Sequence, residues 1–419
     1  MSEISFDPPR GMRDFYPEDM VLRDRIFDAW RKTARRFGFS AYDACVVESL
    51  ALLQRKSGEE VSEQIYWFED KSGRKLALRP EMTPTLARMI AARQGSLNFP
   101  VKWTTVAQCF RYERMTRGRK REHYQWNLDI VGSDDCSAEA EVIAAAVAAL
   151  REMGLPEGSF EVRVNNRALL SELLAASGIG EAQHPAVFLA LDKRGKIPDS
   201  EIAALLASEG LDQGAIDKTF ELLAVRTLEQ AAALAGEDSP GLMRLRELFE
   251  LAGLYGIEKN LRFDIGVIRG LSYYTGIVFE AFDTAGKFRA IFGGGRYDNL
   301  LTTIGGKPTS AVGLGFGDVV VAEVLKDLLG EKCASCKDGV VIGYMFPEQR
   351  SAAVKLARRL RDGGTRVELM LSKLKPKQFF SRAAEGSAAD AVFIGPDDVA
   401  SGKARMKHLE DRSEVEIEL

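Results

Sequence analysis

The segment 109–132 consists of two runs in which polar and apolar residues alternate, joined by a basic loop with a glycine at position 118. Alternation with a period of two is typical of a β-strand that has one apolar and one polar face. The two runs therefore predict an antiparallel hairpin, and its polar face carries Arg111, Glu113, Gln125, Asn127 and Asp129. Because the planar arginine fork binds phosphate bidentately, this hairpin is typical either of a wall of an anion-binding site or of a solvated surface.

Length, charge and the N-terminus narrow the class of protein. The chain has 419 residues, which is more than one hydrophobic core usually organises, and this indicates two or three domains. Its net charge is −4, so any contact with nucleic acid must depend on local basic patches. The polar N-terminal segment has no apolar run typical of a secretory signal, and no run approaches the ~20 residues of a membrane span. We therefore expect a cytoplasmic protein that does not bind a membrane.

Cysteine usage argues against a disulfide framework, since the five cysteines are an odd and low number. Cys333 and Cys336 form a single CxxC pair, and the chain has only three histidines that could complete a zinc site. We interpret this segment as a reduced, exposed linker, with metal binding or redox chemistry as the alternative. We expect no metal site built from protein ligands.

Pattern changes along the chain predict three regions and an α+β fold. Residues 1–165 and 257–328 contain hairpin signals, among them the pair 66–69 and 75–78, and a predicted helix at 18–37. Residues 166–256 show helical patterns rich in Ala, Leu and Glu, which predict a helical insertion. Residues 338–419 alternate strand and helix, which is typical of a small α/β domain with a mostly parallel sheet.

Further polar segments accompany the hairpin at 79–83, 268–280 and 292–300. Paired tyrosines, Tyr273 and Tyr274, are typical of a small-molecule pocket with apolar walls and a few fixed polar groups. Three glycines before Arg296 allow the backbone to approach a ligand closely. The sequence has neither a P-loop nor a strand–GxGxxG–helix unit, so these two common kinds of nucleotide site are excluded.

Six motifs, in the same order along the chain, resemble those of the histidyl-tRNA synthetase family of class II aminoacyl-tRNA synthetases. Segment 110–113, the basic loop and 125–129 resemble motif 2, and IRGLSYYTG at 268–276 resembles the family's RGLDYY element. The remaining similarities are to the RPExT segment at 79–83, the GGGRYD turn at 293–298, the N-terminal RGxRDxxP element at 10–16 and the anticodon-binding domain at 339–419. The resemblance covers nearly the whole chain.

The resemblance implies a class II catalytic domain built on an antiparallel sheet (1–165 and 257–328), with a helical insertion (166–256) and a small α/β anticodon-binding domain (338–419). It implies ATP-dependent activation of L-histidine to histidyl-adenylate and transfer of histidine to the 3′ end of tRNA(His). ATP with Mg²⁺ held through the phosphates is the expected cofactor, and a homodimer is the expected assembly.

The same motifs suggest roles for individual residues. Arg111 and Arg269 would act as the catalytic cations at the α-phosphate. The expected ATP contacts are Arg111, Glu113, Arg119, Arg121 and Arg296. The expected contacts to L-histidine are Glu81, Thr83, Gln125, Asp129, Arg269, Tyr273 and Tyr274. Judged from the residues alone, a structural ion pair is the other explanation of Arg269.

Several departures from the family pattern keep alternatives open. Val320 stands where the motif 3 helix has an ATP-binding arginine, Cys45 stands near the motif 1 proline, and Ser272 replaces an aspartate. The main alternative is therefore a non-catalytic paralogue, such as the regulatory subunit of ATP phosphoribosyltransferase; another class II synthetase is a third. The basic run of Lys373, Lys375 and Lys377 with Phe379 and Phe380 indicates either an RNA-binding patch or a solvated helix start.

Overall fold

The computed structural model describes residues 5–55, 64–193, 197–268, 273–330 and 337–419. These residues form two compact units, one that ends at Gly330 and one that comprises the described residues after it. Arg269 and Ser272, and the pair Cys333 and Cys336, lie outside the described residues.

The strands of the first unit are β1 (Ser40–Ala41), β2 (Val47–Ser49), β3 (Trp67–Glu69), β4 (Lys75–Leu78), β5 (Val101–Phe110), β6 (Glu122–Val131), β7 (Phe160–Asn166), β8 (Leu261–Phe263), β9 (Ile277–Asp283), β10 (Phe292–Arg296) and β11 (Ala311–Gly317). Its helices are α1 (Pro17–Arg36), α2 (Leu50–Gln54), α3 (Thr83–Arg93), α4 (Ser137–Glu152), α5 (Arg167–Ala176), α6 (His184–Asp192), α7 (Asp199–Ser208), α8 (Gln213–Leu222), α9 (Leu228–Ala235), α10 (Pro240–Leu254), α11 (Leu300–Thr303) and α12 (Asp318–Leu329).

An eight-stranded sheet in the order β1-β5-β6-β11-β10-β9-β7-β8 organises the first unit. Its inner pairs are antiparallel, and only the edge strands β1 and β8 run parallel to their neighbours. A smaller sheet, β2-β4-β3, contains the predicted hairpin of β3 and β4. Both the α+β class and the hairpin at 66–78 are thus confirmed.

The predicted helix at 18–37 is also confirmed, as α1. Pro17 occupies its first position, where a missing N–H costs little, and Gly38 follows its end with φ of +71°. The helix buries Trp30 against the apolar face of the sheet, where its ring centroid lies 5.3 Å from that of Phe316 and 6.0 Å from that of Trp126. All three rings are fully buried and anchor α1 to β6 and β11.

The basic hairpin is confirmed as β5 and β6, which pair from Val101 with Val131 to Phe110 with Glu122. One detail of its predicted polar face is wrong, since β5 ends at Phe110 and Arg111 and Glu113 lie beyond it. The backbone N–H of Arg111 still donates to the carbonyl of Arg121, but that of Tyr112 donates to the carbonyl of Gln64, so the chain has left the ladder at Tyr112. Helices α5 to α10 occupy the region predicted as a helical insertion.

The second unit contains strands β12 (Val340–Tyr344), β13 (Val367–Leu369), β14 (Asp390–Ile394), β15 (Lys403–His408) and β16 (Glu414–Glu418), and helices α13 (Arg350–Asp362), α14 (Pro376–Glu385) and α15 (Pro396–Ser401). The alternation of strands and helices is confirmed, and β13, β12 and β14 are parallel. The antiparallel strands β15 and β16 at the edge of this sheet were not predicted from the sequence. Phe379 is fully buried against Gly343, so its predicted place in an RNA-binding patch is wrong.

Candidate active site

The polar side of β6 borders a cavity of about 1750 Å³ within the first unit. The cavity collects residues from all the polar segments of the sequence, which are far apart along the chain. Those of the predicted site residues that line it are Glu81, Thr83, Arg111, Glu113, Arg119, Gln125, Tyr273 and Tyr274. The fold therefore brings predicted site residues from separate segments of the sequence to one cavity.

Glycines of β11 make room for the polar side chains of β6. Gly313 lies opposite Asp129 in the antiparallel ladder, and a Cβ at position 313 would collide with the Asp129 carboxylate. A Cβ at Gly315 would collide in the same way with the amide group of Gln125. The glycine-spaced strand is thus a physical requirement of the polar face beside it.

One end of the cavity combines tyrosine hydroxyls with carboxylates. The Tyr273 hydroxyl lies 3.5 Å from Oε2 of Glu81, and the ring centroids of Tyr273 and Tyr274 lie 4.6 Å apart. Tyr297, which also lines the cavity, donates its hydroxyl to Oδ1 of Asp129. Asp129 itself is only 1% exposed and is not among the residues that line the cavity.

The titration of Tyr297 follows from this setting. Burial raises the pKa of its hydroxyl well above the ordinary value, and the nearby Asp129 carboxylate raises it further. Tyr297 therefore stays protonated and keeps donating to Asp129. This end of the cavity can recognise a small polar ligand through a fixed pattern of donors and acceptors.

The other end of the cavity is rich in cations. Arg111 donates its Nε–H to the carbonyl of Pro80 at 2.9 Å, which fixes the orientation of its guanidinium group. Arg119 forms an ion pair of 3.1 Å with Glu113. Lys120 and Arg289 also line the cavity, and Arg289 is close enough to Arg119 for the charge of Arg119 to lower its pKa. This concentration of positive charge suits a polyphosphate.

His123 lies among these cations in a neutral state. Burial lowers the pKa of its imidazole to about 3, and the positive charge of Arg111 contributes to the shift. The imidazole therefore adds no charge to the cavity at neutral pH. Sequence reasoning missed His123, although its odd-numbered position on β6, shared with Gln125, placed it on the polar face.

Two predicted ATP contacts have other surroundings. Arg121 stacks over the ring of Tyr112 with its guanidinium carbon 3.9 Å from the ring centroid, beside a separate cavity of about 540 Å³. Arg296 is buried in a bidentate ion pair with Glu139, at 2.6 and 2.7 Å, and also bonds the carbonyl of Ser133. The structure thus gives Arg296 a structural role, because its donors already have buried acceptors.

Arg269, the remaining predicted catalytic residue, lies outside the described residues, and its neighbours Ile268 and Tyr273 line the cavity. Sequence reasoning also missed Arg289 and Tyr297. The GGGRYD turn contains Tyr297, but the adjacent Arg296 was predicted as the site residue of this turn. Arg289 follows no motif, and only the folding of the chain brings it to the cavity.

The described residues provide neither a metal-ligand cluster nor a membrane-spanning helix. In the described part of the chain, His, Cys, Asp and Glu side chains form no group of three suited to a metal ion. Across the described ranges, no helix has both the length and the apolar character needed to cross a membrane.

Comparisons with known proteins agree with this geometry. The family model described as histidyl-tRNA synthetase matches residues 11–317, and the model described as an anticodon-binding domain matches residues 339–419. The chain is 41% identical to the chloroplastic/mitochondrial histidine–tRNA ligase of Arabidopsis thaliana over all of this chain and 86% of the relative.

Two solved structures share the fold. The histidyl-tRNA synthetase of Nostoc sp. PCC 7120 superposes with a TM-score of 0.83 at 24% identity, covering 99% of this chain and 97% of the other. A Bacillus halodurans protein described as an ATP phosphoribosyltransferase regulatory subunit/histidyl-tRNA synthetase gives a TM-score of 0.76 at 25% identity, covering 94% of this chain and all of the other.

Proposed function

The chain belongs to the histidyl-tRNA synthetase family, and from that premise we propose how its cavity divides the work of a histidine–tRNA ligase. An enzyme of this class II family activates histidine with ATP and transfers it to tRNA. In the first step the carboxylate of histidine attacks the α-phosphate of ATP and pyrophosphate leaves. In the second, the 3′-terminal ribose hydroxyl of tRNA attacks the carbonyl of the adenylate and AMP leaves.

The cation-rich end is the proposed ATP site. Arg111, held by the Pro80 carbonyl, would contact the α-phosphate and stabilise the negative charge that grows there during attack. Glu113 would accept hydrogen bonds from the adenine, and Arg119 would contact the phosphates. Arg269 is proposed on the family motif to supply a second cation at the α-phosphate. Mg²⁺ would enter with the phosphates and keep most of its water ligands.

The tyrosine-rich end is the proposed histidine site. Glu81 and Thr83 would hold the α-amino group, and Gln125, Tyr273 and Tyr274 would surround the imidazole. Asp129 would act through the hydroxyl of Tyr297. Because an analogue without the imidazole nitrogens would leave these buried polar groups unpaired, such a site can select histidine strongly.

The second unit is the proposed tRNA-binding part, since residues 339–419 match an anticodon-binding domain. Lys373, Lys375 and Lys377 are exposed at the start of α14 and can contact phosphates. Phe379 is in the core. The partly buried Phe380 beside it is the aromatic residue that could stack on an RNA base near these lysines.

We also propose a symmetric homodimer. The small sheet β2-β4-β3 carries exposed apolar side chains, with Trp67 at 55% and Phe68 at 42% exposure on β3, and Val47 of β2 and the preceding Val46 are also exposed. Exposed apolar side chains of this size fit a protein interface, and a second copy of the chain is the occupant that the family suggests. For location, the cytoplasm stays a prediction, since one relative is named for chloroplasts and mitochondria.

The non-catalytic alternative has less support. The match to an anticodon-binding domain and the full-length match to a histidine–tRNA ligase both favour the enzyme. The observation that carries the proposal is the single cavity that joins Arg111 to the pair of Tyr273 and Glu81.

The test is charging of tRNA(His) by the full chain with ATP and each amino acid in turn. We expect product with histidine and none with the others. Replacing the three lysines of α14 and the preceding loop by alanine should raise KM for tRNA about tenfold without changing KM for ATP, whereas replacing the exposed Lys355 and Arg358 of α13 should change neither. Charging with a different amino acid, or no charging, would overturn the proposal.

A further inference from the structure

Arg289 reaches the cation-rich end of the cavity from a segment that no family motif covers. It lies in the connection between β9 and β10, three residues before Phe292. Phe292 pairs with Phe316 in the antiparallel ladder, so the residues before β10 run alongside those that follow β11. These are the first residues of α12, including Val319 and Val320, which line the same cavity.

The basic loop of the hairpin lies between these two segments. The Arg117 guanidinium carbon lies 4.8 Å from the ring centroid of Phe288, and its Nε lies 3.5 Å from Oε2 of Glu323 on α12. A Cβ at Gly118 would lie 3.3 Å from the Val320 side chain. The loop therefore touches both Val320 and the segment of Arg289, so all three border one small region of the cavity.

The charged groups that act on Arg289 are the cation Arg119 and the carboxylates Glu113 and Glu280, and all three line the cavity. The pKa of Arg289 lies below its ordinary value, first because the group is partly withdrawn from water and then because of the nearby charge of Arg119. The carboxylate of Glu113 is already paired with Arg119. Within the described ranges of the chain, Arg289 forms no ion pair, unlike Lys287 two residues earlier, which pairs with Asp327 at 2.7 Å.

We propose that Arg289 binds the outer phosphates of ATP, together with Arg119, in the place of the cation that Val320 cannot supply. This inference rests on the proposed ATP-dependent function and adds a residue to it. A guanidinium group contacts two phosphate oxygens at once, which suits the β- and γ-phosphates and the pyrophosphate that leaves. Arg289 would thus help to position the leaving group, while Arg111 acts at the α-phosphate.

The test compares the binding of ATP, pyrophosphate and AMP to the full chain by titration calorimetry. AMP has only the α-phosphate, so it reports on the adenine and Arg111 contacts without those to the outer phosphates. In Arg289→Ala, we expect ATP and pyrophosphate to bind about 10- to 100-fold more weakly, and AMP to change less than threefold. Arg289→Lys, which keeps the charge, should recover part of the loss, and the matched control Lys287→Ala should bind all three as the wild type does.

Equal weakening of ATP and AMP in Arg289→Ala would show a structural role and overturn the inference, as would unchanged binding of ATP. Circular dichroism of each variant checks that the fold is kept. Histidine-dependent ATP–pyrophosphate exchange by the wild type separates the two proposals. If the wild type catalyses exchange but Arg289→Ala shows no selective loss of ATP and pyrophosphate binding, only the role of Arg289 is rejected. If the wild type catalyses no exchange, the proposed function is rejected.

Discussion

The carboxylate of Asp129 occupies the space into which a side chain at Gly313 would project, across the antiparallel pair of β6 and β11. Asp129 in turn accepts a hydrogen bond from the hydroxyl of Tyr297, and Tyr297 lines the cavity. The position of Tyr297 thus depends on Gly313, which leaves room for the Asp129 carboxylate and also lines the cavity. The glycine spacing of β11 is therefore part of the site as well as part of the sheet.

Gly313→Ala should damage the proposed histidine site. The added methyl group must displace the Asp129 carboxylate, and such overpacking typically costs about 1–3 kcal/mol of stability. We expect KM for histidine to rise at least about tenfold and KM for ATP to change little, measured by ATP–pyrophosphate exchange. Gly317→Ala is the matched control, because a Cβ there meets nothing within 4 Å. Equal effects of the two substitutions on KM for histidine would contradict this prediction.

Glu139→Gln should destabilise the first unit without affecting ATP directly. Glu139 is fully buried and Arg296 nearly so, and removing one charge leaves the other buried with less compensation, which typically costs about 3–5 kcal/mol. Asp298→Asn is a milder change at the same arginine, because the Asp298 carboxylate is one-third exposed. Urea unfolding and KM for ATP measure the two effects. A rise in KM for ATP in Glu139→Gln with unchanged stability would indicate that Arg296 contacts ATP and would contradict this prediction.

His123 should make stability depend on pH on the acid side. Its pKa is lowered to about 3 in the folded chain, chiefly by burial, while the unfolded chain takes up the proton near the ordinary value of 6.5. The unfolded state then binds more protons between these values, so the stabilising contribution is complete above pH 6.5 and is lost as pH falls toward 3. Between pH 7 and 4.5 the wild type should lose about 2.5 kcal/mol more than His123→Gln.

Urea unfolding at several pH values measures this difference. Tyr124, next in the chain, offers a control in Tyr124→Phe, because the pKa of its hydroxyl is raised by burial and the group does not titrate in this range. Parallel stability curves for the wild type and His123→Gln would show that the imidazole is accessible to protons in the folded state.

Much of the fold could be predicted because the relevant signals are local. The alternation in β6, the proline and glycine at the two ends of α1, and the strand–helix alternation after residue 338 each depend on neighbours in sequence. The end of β5 at Phe110 could not be predicted in this way. It depends on the bond from Tyr112 to Gln64, which lies far away in the chain.

The site shows the same limit. Residue types and motifs identified Arg111, Glu81 and Tyr273, which the fold brings to one cavity. The surroundings of Arg296 could not be predicted, since its partner Glu139 lies on a helix that carries no motif. Arg289 was missed because the antiparallel register of β10 and β11, rather than any local pattern, brings the segment before β10 alongside the start of α12.

The central claim is that this cavity activates histidine with ATP, and histidine-dependent ATP–pyrophosphate exchange tests it most directly. We predict exchange by the wild type, a loss of about 10²-fold or more in kcat for Arg111→Ala, and no loss for the exposed surface variant Arg93→Ala. Absence of histidine-dependent exchange in the folded wild-type protein, or full exchange in Arg111→Ala, would contradict the account.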